Sequence, residues 1–247
     1  MKIYLEADYK SYTAFYPLYS FDGRLLAVEL LTHFSHSTAN VAIPYDMLLP
    51  QLNEAQRVAL FQNQINCVEK HQVFFRQHNV NVAINIDELL AKAILENEML
   101  LHRMAALEMI LLEISETFIG MKEAKGNDLL SGLSEKFALS LKNYGSGKAP
   151  STAIYDNLFW QIKFDKGFIQ HNFNRLSFKP FIGSVIENIK PHCQQIIVQG
   201  IDDLAALEKI RRFAFSGIQS SLFSFAGEET LDALLQPPAI LIEPPTQ

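Results

Sequence analysis

The amino-acid sequence predicts an α/β fold in which short buried strands alternate with amphipathic helices. Six apolar runs are four to eight residues long and bounded by polar residues, at 25–31, 80–86, 109–114, 137–141, 159–164 and 195–198. Runs of this length are typical of parallel strands that are covered on both faces. Because strands and helices alternate over 247 residues, the pattern predicts either a (β/α) barrel or a doubly wound sheet.

Two segments between these runs carry helical signals. Asn53 can cap a helix, and Gln56 stands three residues later, where the partner of a capping box is found. Apolar residues then recur at spacings of three and four, at Val58, Phe61, Ile65 and Val68. The same kind of spacing returns at Leu204, Leu207 and Ile210. Each set lies on one face of a helix, so both faces are expected to pack against the sheet.

The composition excludes several classes of protein. Hydrophobic residues make up 49% of the chain and charged residues 19%, which rules out disorder and allows a core without metal or disulfide staples. A net charge of −6 argues against a broadly basic surface for nucleic acid. The two cysteines, Cys67 and Cys193, form neither a disulfide framework nor the paired spacing of a zinc motif, and they fit a reducing compartment.

The chain shows no sign of a membrane span or of a division into domains. It has no run of about 18 apolar residues, and acidic residues at its start interrupt any apolar signal segment. We therefore expect a cytoplasmic protein. No linker rich in proline, glycine or serine divides the chain, so residues 1–247 are predicted to form one domain. The prolines at 237–238 and 244–245 predict a loose tail from about residue 236.

Polar residues stand inside or directly after the predicted strands. These residues are Glu29, Asn85, Glu113, Glu116, Lys163 and Asp165. In parallel α/β folds the chemistry is found at the carboxyl ends of the strands. A charge in an apolar strand is costly unless it is paired or bound to a metal. Several such residues on successive strands therefore predict a shared site.

The same residues resemble the EAL domain family, which is named for a Glu-Ala-Leu tripeptide. Glu29 in Val28-Glu29-Leu30-Leu31 stands at this signature, Asn85 and Glu116 match two metal-ligand motifs, Lys163 and Asp165 match the strand of the catalytic lysine, and Gln219 matches the closing glutamine. Members of the family hydrolyse cyclic di-GMP with two divalent metal ions. The resemblance implies a TIM-like (β/α) barrel of the EAL type and covers nearly the whole chain.

The sequence departs from the family at the residues that carry catalysis. Lys142 and Asn143 replace two metal-binding aspartates, and Gln199 replaces the glutamate that acts as general base. His33 replaces an arginine that holds substrate phosphate, and Tyr16 replaces the opening glutamine. The resemblance therefore implies a protein without catalytic, metal-binding or cofactor-binding residues.

The retained acids need a counter-charge if no metal ion holds them. Glu29 and Glu116 would repel each other when buried together. Lys142, Lys163 or both are expected to neutralise them, so that an ion-pair network replaces the metal cluster.

Three segments, 1–6, 28–35 and 164–170, resemble a branch of inactive EAL-like proteins that act against flagellar gene expression. The resemblance implies a protein partner, the FlhD subunit of the flagellar master transcription regulator, and post-translational repression without direct contact to nucleic acid or membrane. It assigns no interface residues. Two alternatives stay open, a metal-free receptor for cyclic di-GMP and a weak residual phosphodiesterase; protein binding is favoured over nucleotide binding because His33 lacks the bidentate fork of arginine.

Overall fold

The computed structural model describes residues 2–4, 8–36, 42–43, 48–147 and 151–242. Its strands are β1 (Lys2–Tyr4), β2 (Asp8–Tyr19), β3 (Leu25–His36), β4 (Ala42–Ile43), β5 (Asn81–Ile86), β6 (Ile110–Ser115), β7 (Ala138–Tyr144), β8 (Gln161–Phe164), β9 (Gln195–Gln199) and β10 (Gly217–Gln219). The α-helices are α1 (Glu54–Lys70), α2 (Gln72–His78), α3 (Glu88–Glu96), α4 (Glu98–Ala105), α5 (Asp128–Ser134), α6 (Ser151–Tyr155), α7 (Lys166–Asn172), α8 (Phe178–Ile189), α9 (Leu204–Ile210) and α10 (Ala239–Ile242).

Eight strands close into a barrel. The order of the sheet is β1-β2-β10-β9-β8-β7-β6-β5-β3-β4, and pairing of β2 with β3 joins its two sides. β2 runs antiparallel to both of its barrel neighbours, β3 and β10, whereas the pairs from β3 through β5 and on to β10 are parallel. Of the two folds that the strand and helix pattern allowed, the barrel is confirmed.

The local sequence signals correspond to observed elements. Each of the six apolar runs overlaps one of the strands β3 and β5–β9. The predicted capping box opens α1: the Gln56 amide N–H donates to Asn53 Oδ1, and the Asn53 N–H donates to Gln56 Oε1, both at 2.9 Å. Phe61, Ile65 and Val68 are buried on one face of α1. Spacing and caps therefore locate the helix because both are local properties of the chain.

The two faces of the barrel wall differ in character. Side chains alternate along a strand, so Leu112 and Ile114 of β6 point outward into the apolar layer beneath the helices, while Glu113 points inward. A small apolar cluster that contains Ala27 and Ile197 lies apart from this outer core. The main core is thus the layer between sheet and helices, and the interior of the barrel has room for a polar layer.

The end of the chain is more ordered than the sequence predicts. The tail expected to be loose from about residue 236 contains α10, in which Leu241 is buried. The Arg211 guanidinium donates to the backbone carbonyls of Leu241, at 2.8 Å, and of Phe21, at 2.9 Å. These bonds and the burial of Leu241 hold the segment as far as Ile242; residues 243–247 lie outside the described part.

None of the helices in the described ranges combines the length and the apolar character that a crossing of the bilayer requires.

Candidate functional site

The carboxyl ends of the parallel strands form the barrel mouth, where a carboxylate is surrounded by donors from three other strands. Glu29 of β3 accepts a hydrogen bond from Asn85 Nδ2 on Oε1, at 2.8 Å. Its Oε2 accepts from Gln219 Nε2, at 2.9 Å, and from Lys163 Nζ, at 3.3 Å. Parallel strands bring these four residues together although up to 190 positions separate them. Both oxygens of Glu29 are therefore engaged within the protein.

A second carboxylate, Glu113, lies on the other side of Lys163. Lys163 Nζ forms an ion pair with Glu113 Oε1, and both side chains are almost fully buried, with 1% and 0% exposed. Ser140 Oγ also approaches Glu113, at 3.4 Å. The inner ion cluster therefore consists of Glu29, Glu113 and Lys163. Lys163 supplies a counter-charge to Glu29, as the sequence predicted.

The two acids at the end of β6 lie in different surroundings. Glu113 occupies the inward position of the strand and contacts Lys163, whereas Glu116 follows the strand end. Glu116 is buried beside a different cavity, of about 200 Å³, that Tyr144 and Phe168 also line. The sequence does contain a signal for the inward position of Glu113. Like Glu29, it is a single acid within an apolar strand, where side chains alternate between the two faces.

Lys142 and Gln199 lie at the edge of the cluster. Lys142 Nζ of β7 donates to Asn85 Oδ1 and thereby reaches the cluster through a neutral amide. Gln199 Nε2 of β9 donates to Gln219 Oε1, at 2.8 Å. We call Lys142, Asn85, Gln199 and Gln219 the rim. A cavity of about 450 Å³ opens beside it, and Lys142, Asn85 and Glu29 are among the residues that line this cavity.

Two other predicted residues have local structural roles. Asp165 caps α7, because its Oδ1 accepts from the Phe168 N–H at 2.7 Å. Asn143 adopts a left-handed backbone with φ of +62°, and its carbonyl accepts from the Ser146 N–H at 3.3 Å. Motif matching selects them with the site, whereas their contacts here belong to a helix start and to a turn.

The cluster sets the ionisation of its members. Burial opposes the ionised form of Glu29, but the ammonium groups of Lys163 and Lys142 and the two amide donors outweigh it and hold its pKa at about 2. Burial and the negative charge of Glu29 raise the pKa of Glu113. Glu113 Oε2 also has no hydrogen-bond partner within the described ranges, which disfavours its ionised form. Burial alone would lower the pKa of Lys163, but the two carboxylates raise it.

The residues present do not fit the pair of divalent ions that the fold family implies. Mg²⁺ and Mn²⁺ favour several carboxylate ligands, and a two-metal site holds its ions about 4 Å apart. Here both carboxylates of the inner ion cluster already contact Lys163. An ammonium such as that of Lys142, about 4 Å from a dication, would repel it by roughly 8 kcal/mol before any relaxation.

Aromatic side chains stack around Tyr16 and His33. The rings of Tyr16 and His33 stack with centroids 5.8 Å apart, and Tyr16 Oη lies 3.1 Å from His33 Nε2. Tyr12 stacks on His33 at 5.3 Å, and Phe225 stacks on Tyr16 at 5.0 Å. Burial lowers the pKa of His33, which favours a neutral imidazole. The stack therefore offers little charge to a phosphate group.

The EAL domain model matches residues 6–224. The chain is 34% identical to the putative anti-FlhC(2)FlhD(4) factor YdiV of Escherichia coli over 96% of its own length and all of that protein. It is 29% identical to the anti-FlhC(2)FlhD(4) factor YdiV of Salmonella paratyphi B, over 94% and 98% of the two chains.

Solved structures show the same likeness. A crystal structure of the EAL-like domain protein YdiV matches 95% of this chain and 100% of its own, with a TM-score of 0.86 and 34% identity. A complex of the PaMucR phosphodiesterase with c-di-GMP matches 85% and 89%, with a TM-score of 0.67 and 16% identity; at that identity the likeness shows the fold alone. With its barrel and the match to the family model over most of its length, the chain belongs to the EAL domain family.

Proposed function

We propose that this protein is a non-catalytic regulator that binds the FlhD subunit of a flagellar master transcription regulator and represses flagellar gene expression after translation. The observation that carries the proposal is the 34% identity, over 96% of the chain, to a relative named as a putative anti-FlhC(2)FlhD(4) factor. The match covers all of that relative, so the similarity is not confined to a shared subdomain. The proposal includes that the protein acts in the cytoplasm. It also includes that residues 1–247 form one domain.

The chemistry of the rim supports the non-catalytic part of the proposal. Lys142 brings a cation to the strand end where the family places a carboxylate, and it is bonded to Asn85. Gln199, at the position of the general base, has an amide that cannot take a proton from water. General-base catalysis is typically worth about 10² to 10⁴ in rate. We propose Glu29, Asn85, Glu116, Lys163, Asp165 and Gln219 as a vestigial constellation, joined by Glu113, with catalytic function lost at Lys142, Asn143 and Gln199.

A binding experiment tests the partner. The full chain is mixed with purified FlhC–FlhD complex and run on a size-exclusion column, and release of a labelled promoter DNA is followed by fluorescence anisotropy. We expect co-elution and release of DNA at micromolar concentrations. An unrelated DNA-binding regulator serves as the control and is expected to stay on its DNA. If the complex keeps its DNA and elutes alone, the proposed function is wrong.

A hydrolysis assay tests the absence of catalysis. The wild-type chain is incubated with cyclic di-GMP and Mn²⁺, and linear dinucleotide is measured by chromatography. No product above the buffer blank is expected, while an active EAL phosphodiesterase run in parallel gives product. Product formed by the wild type in proportion to the amount of purified protein added would establish a residual phosphodiesterase and contradict the proposal.

A metal-free cyclic di-GMP receptor is the second candidate, and the open cavity of about 450 Å³ beside the rim favours it. Lys142 lines this cavity and offers the ammonium that a phosphate would contact. Calorimetry with cyclic di-GMP and no divalent metal separates the two candidates. Binding by the wild type that Lys142→Met weakens would establish the receptor, whereas no heat of binding is expected for a regulator that recognises protein alone.

A further inference from the structure

We propose that Cys67, His71 and Glu228 bind one Zn²⁺ ion on the outer side of the barrel, at the junction of α1 with the segment that follows β10. The Cys67 thiol, a His71 ring nitrogen and a Glu228 carboxylate oxygen all lie within 4.8 Å of one another. In a tetrahedral zinc site, neighbouring ligand atoms are about 3.3–3.7 Å apart, as the usual metal–ligand bond lengths require. Small side-chain adjustments therefore bring the three atoms to a common ion.

The fold holds the three ligands from two well-anchored segments. Cys67 and His71 are four residues apart at the end of α1, so they share one face of the helix. Glu228 comes from the other end of the chain, two residues after Ala226. Ala226 pairs with Phe15 of β2 through two backbone hydrogen bonds, of 2.8 and 3.0 Å. The His71 ring packs edge-on against Phe15, with ring centroids 6.2 Å apart. The site is thus built where the barrel closes.

The chemistry of the ligands selects the metal. One thiolate, one imidazole and one carboxylate are ligands that Zn²⁺ commonly takes, with a water molecule as the fourth. A soft sulfur ligand disfavours Mg²⁺ and Mn²⁺, which prefer oxygen. The sequence predicts no metal site because Cys67 and Cys193 lack the paired spacing of a zinc motif, and nothing in a linear motif connects Cys67 with a carboxylate 161 positions later.

Lys70 competes with the metal for Glu228. Lys70 Nζ lies 2.7 Å from Glu228 Oε2, and His71 Nε2 lies 3.3 Å from the same oxygen. The Lys70 side chain is 66% exposed, so it can turn into solvent when the ion arrives. Removal of this lysine should therefore tighten binding, an effect that a purely structural ion pair would not produce.

Co²⁺ is the probe for the proposed site, because a cobalt–thiolate bond gives a charge-transfer band in the near ultraviolet. We expect the wild-type chain to bind one Co²⁺ with this band and to release it when Zn²⁺ is added. Cys67→Ser should abolish the band. Glu228→Gln should weaken zinc affinity, measured by competition with a chromophoric chelator, by about tenfold or more. Lys70→Met should strengthen it by several-fold.

Cys193→Ser is the matched control, since the second cysteine belongs to no such cluster in the described part of the chain; its band should equal that of the wild type. Circular dichroism checks that each variant folds. If Cys67→Ser does not fold, the variants at the more exposed positions Lys70 and Glu228 still test the proposal. The proposal is wrong if the wild type shows no thiolate band at micromolar metal, if the band survives in Cys67→Ser, or if Lys70→Met leaves the affinity unchanged.

Discussion

Two lysines on neighbouring strands of the barrel differ in burial and in the charge of their partners. Lys163 of β8 is 1% exposed and lies between the carboxylates of Glu29 and Glu113. Lys142 of β7 lines an open cavity and bonds to the neutral amide of Asn85. Removing one partner of a buried ion pair leaves an uncompensated charge, whereas a partly exposed group can be solvated by water. The inner ion cluster is therefore expected to resist substitution, and the rim is expected to tolerate it.

The proposed loss of catalysis follows this division. Lys142 and Gln199 stand in the rim, while the inner ion cluster keeps Glu29 and Lys163. On the proposed function, the barrel has lost hydrolytic residues and kept the ion pairs on which its interior depends.

The largest effect is expected from Lys163→Met. This change leaves Glu29 and Glu113 buried together without their shared cation, and breaking such a pair costs about 3–5 kcal/mol in the free energy of unfolding. Urea unfolding at pH 7 measures the loss. A second variant, Lys163→Met with Glu113→Leu, removes the buried acid beside Glu29 and should recover part of the loss. If the free energy of unfolding of Lys163→Met is within about 1 kcal/mol of the wild-type value, the ion pairs of the inner ion cluster do not stabilise the fold.

The pH dependence of stability gives the next largest effect. The pKa of Glu29 is about 2 in the folded protein, against an ordinary value of 4.5. Because the folded value is the lower one, Glu29 contributes stability above pH 4.5 that is lost as the pH falls towards 2. The shift corresponds to about 3 kcal/mol. Urea unfolding at several pH values between 2 and 6 gives the free energy of unfolding as a function of pH. Over this range, the free energy of unfolding of Glu29→Gln should change by about 3 kcal/mol less than that of the wild type.

The opposite sign is expected for Glu113, with a smaller effect. Its pKa is raised in the folded protein, so its contribution is present below its ordinary pKa and is lost as the pH rises through the raised value. Glutamine has nearly the same shape as the neutral carboxylic acid. Glu113→Gln should therefore lower the free energy of unfolding at pH 7 by only about 1 kcal/mol, as measured by urea unfolding. A loss as large as that of Lys163→Met would mean that Glu113 is fully ionised in the folded state.

Local signals predicted much of the fold, and long-range contacts account for what they missed. The capping box at Asn53 and the apolar runs of β3 and β5–β9 are properties of adjacent residues. β10 has only three residues, and β2 contains Pro17 and several polar residues. Neither strand forms a continuous apolar run, so the sequence pattern did not predict them. The strand pattern indicated both Glu113 and Glu116, and motif matching then selected Glu116. The group of Cys67, His71 and Glu228 exists only because the closed barrel joins the two ends of the chain.

The smallest effect on stability is expected from Lys142→Met at the rim. The ammonium bonds to a neutral amide and lies beside an open cavity, so its loss should change the free energy of unfolding by less than about 1 kcal/mol. Glu29 keeps Lys163 as its nearest cation, at 3.3 Å, and so remains ionised at pH 7. Urea unfolding of Lys142→Met beside Lys163→Met measures the contrast directly. If the two losses are equal, the rim is as constrained as the interior, and ease of substitution cannot explain the proposed loss of catalytic residues there.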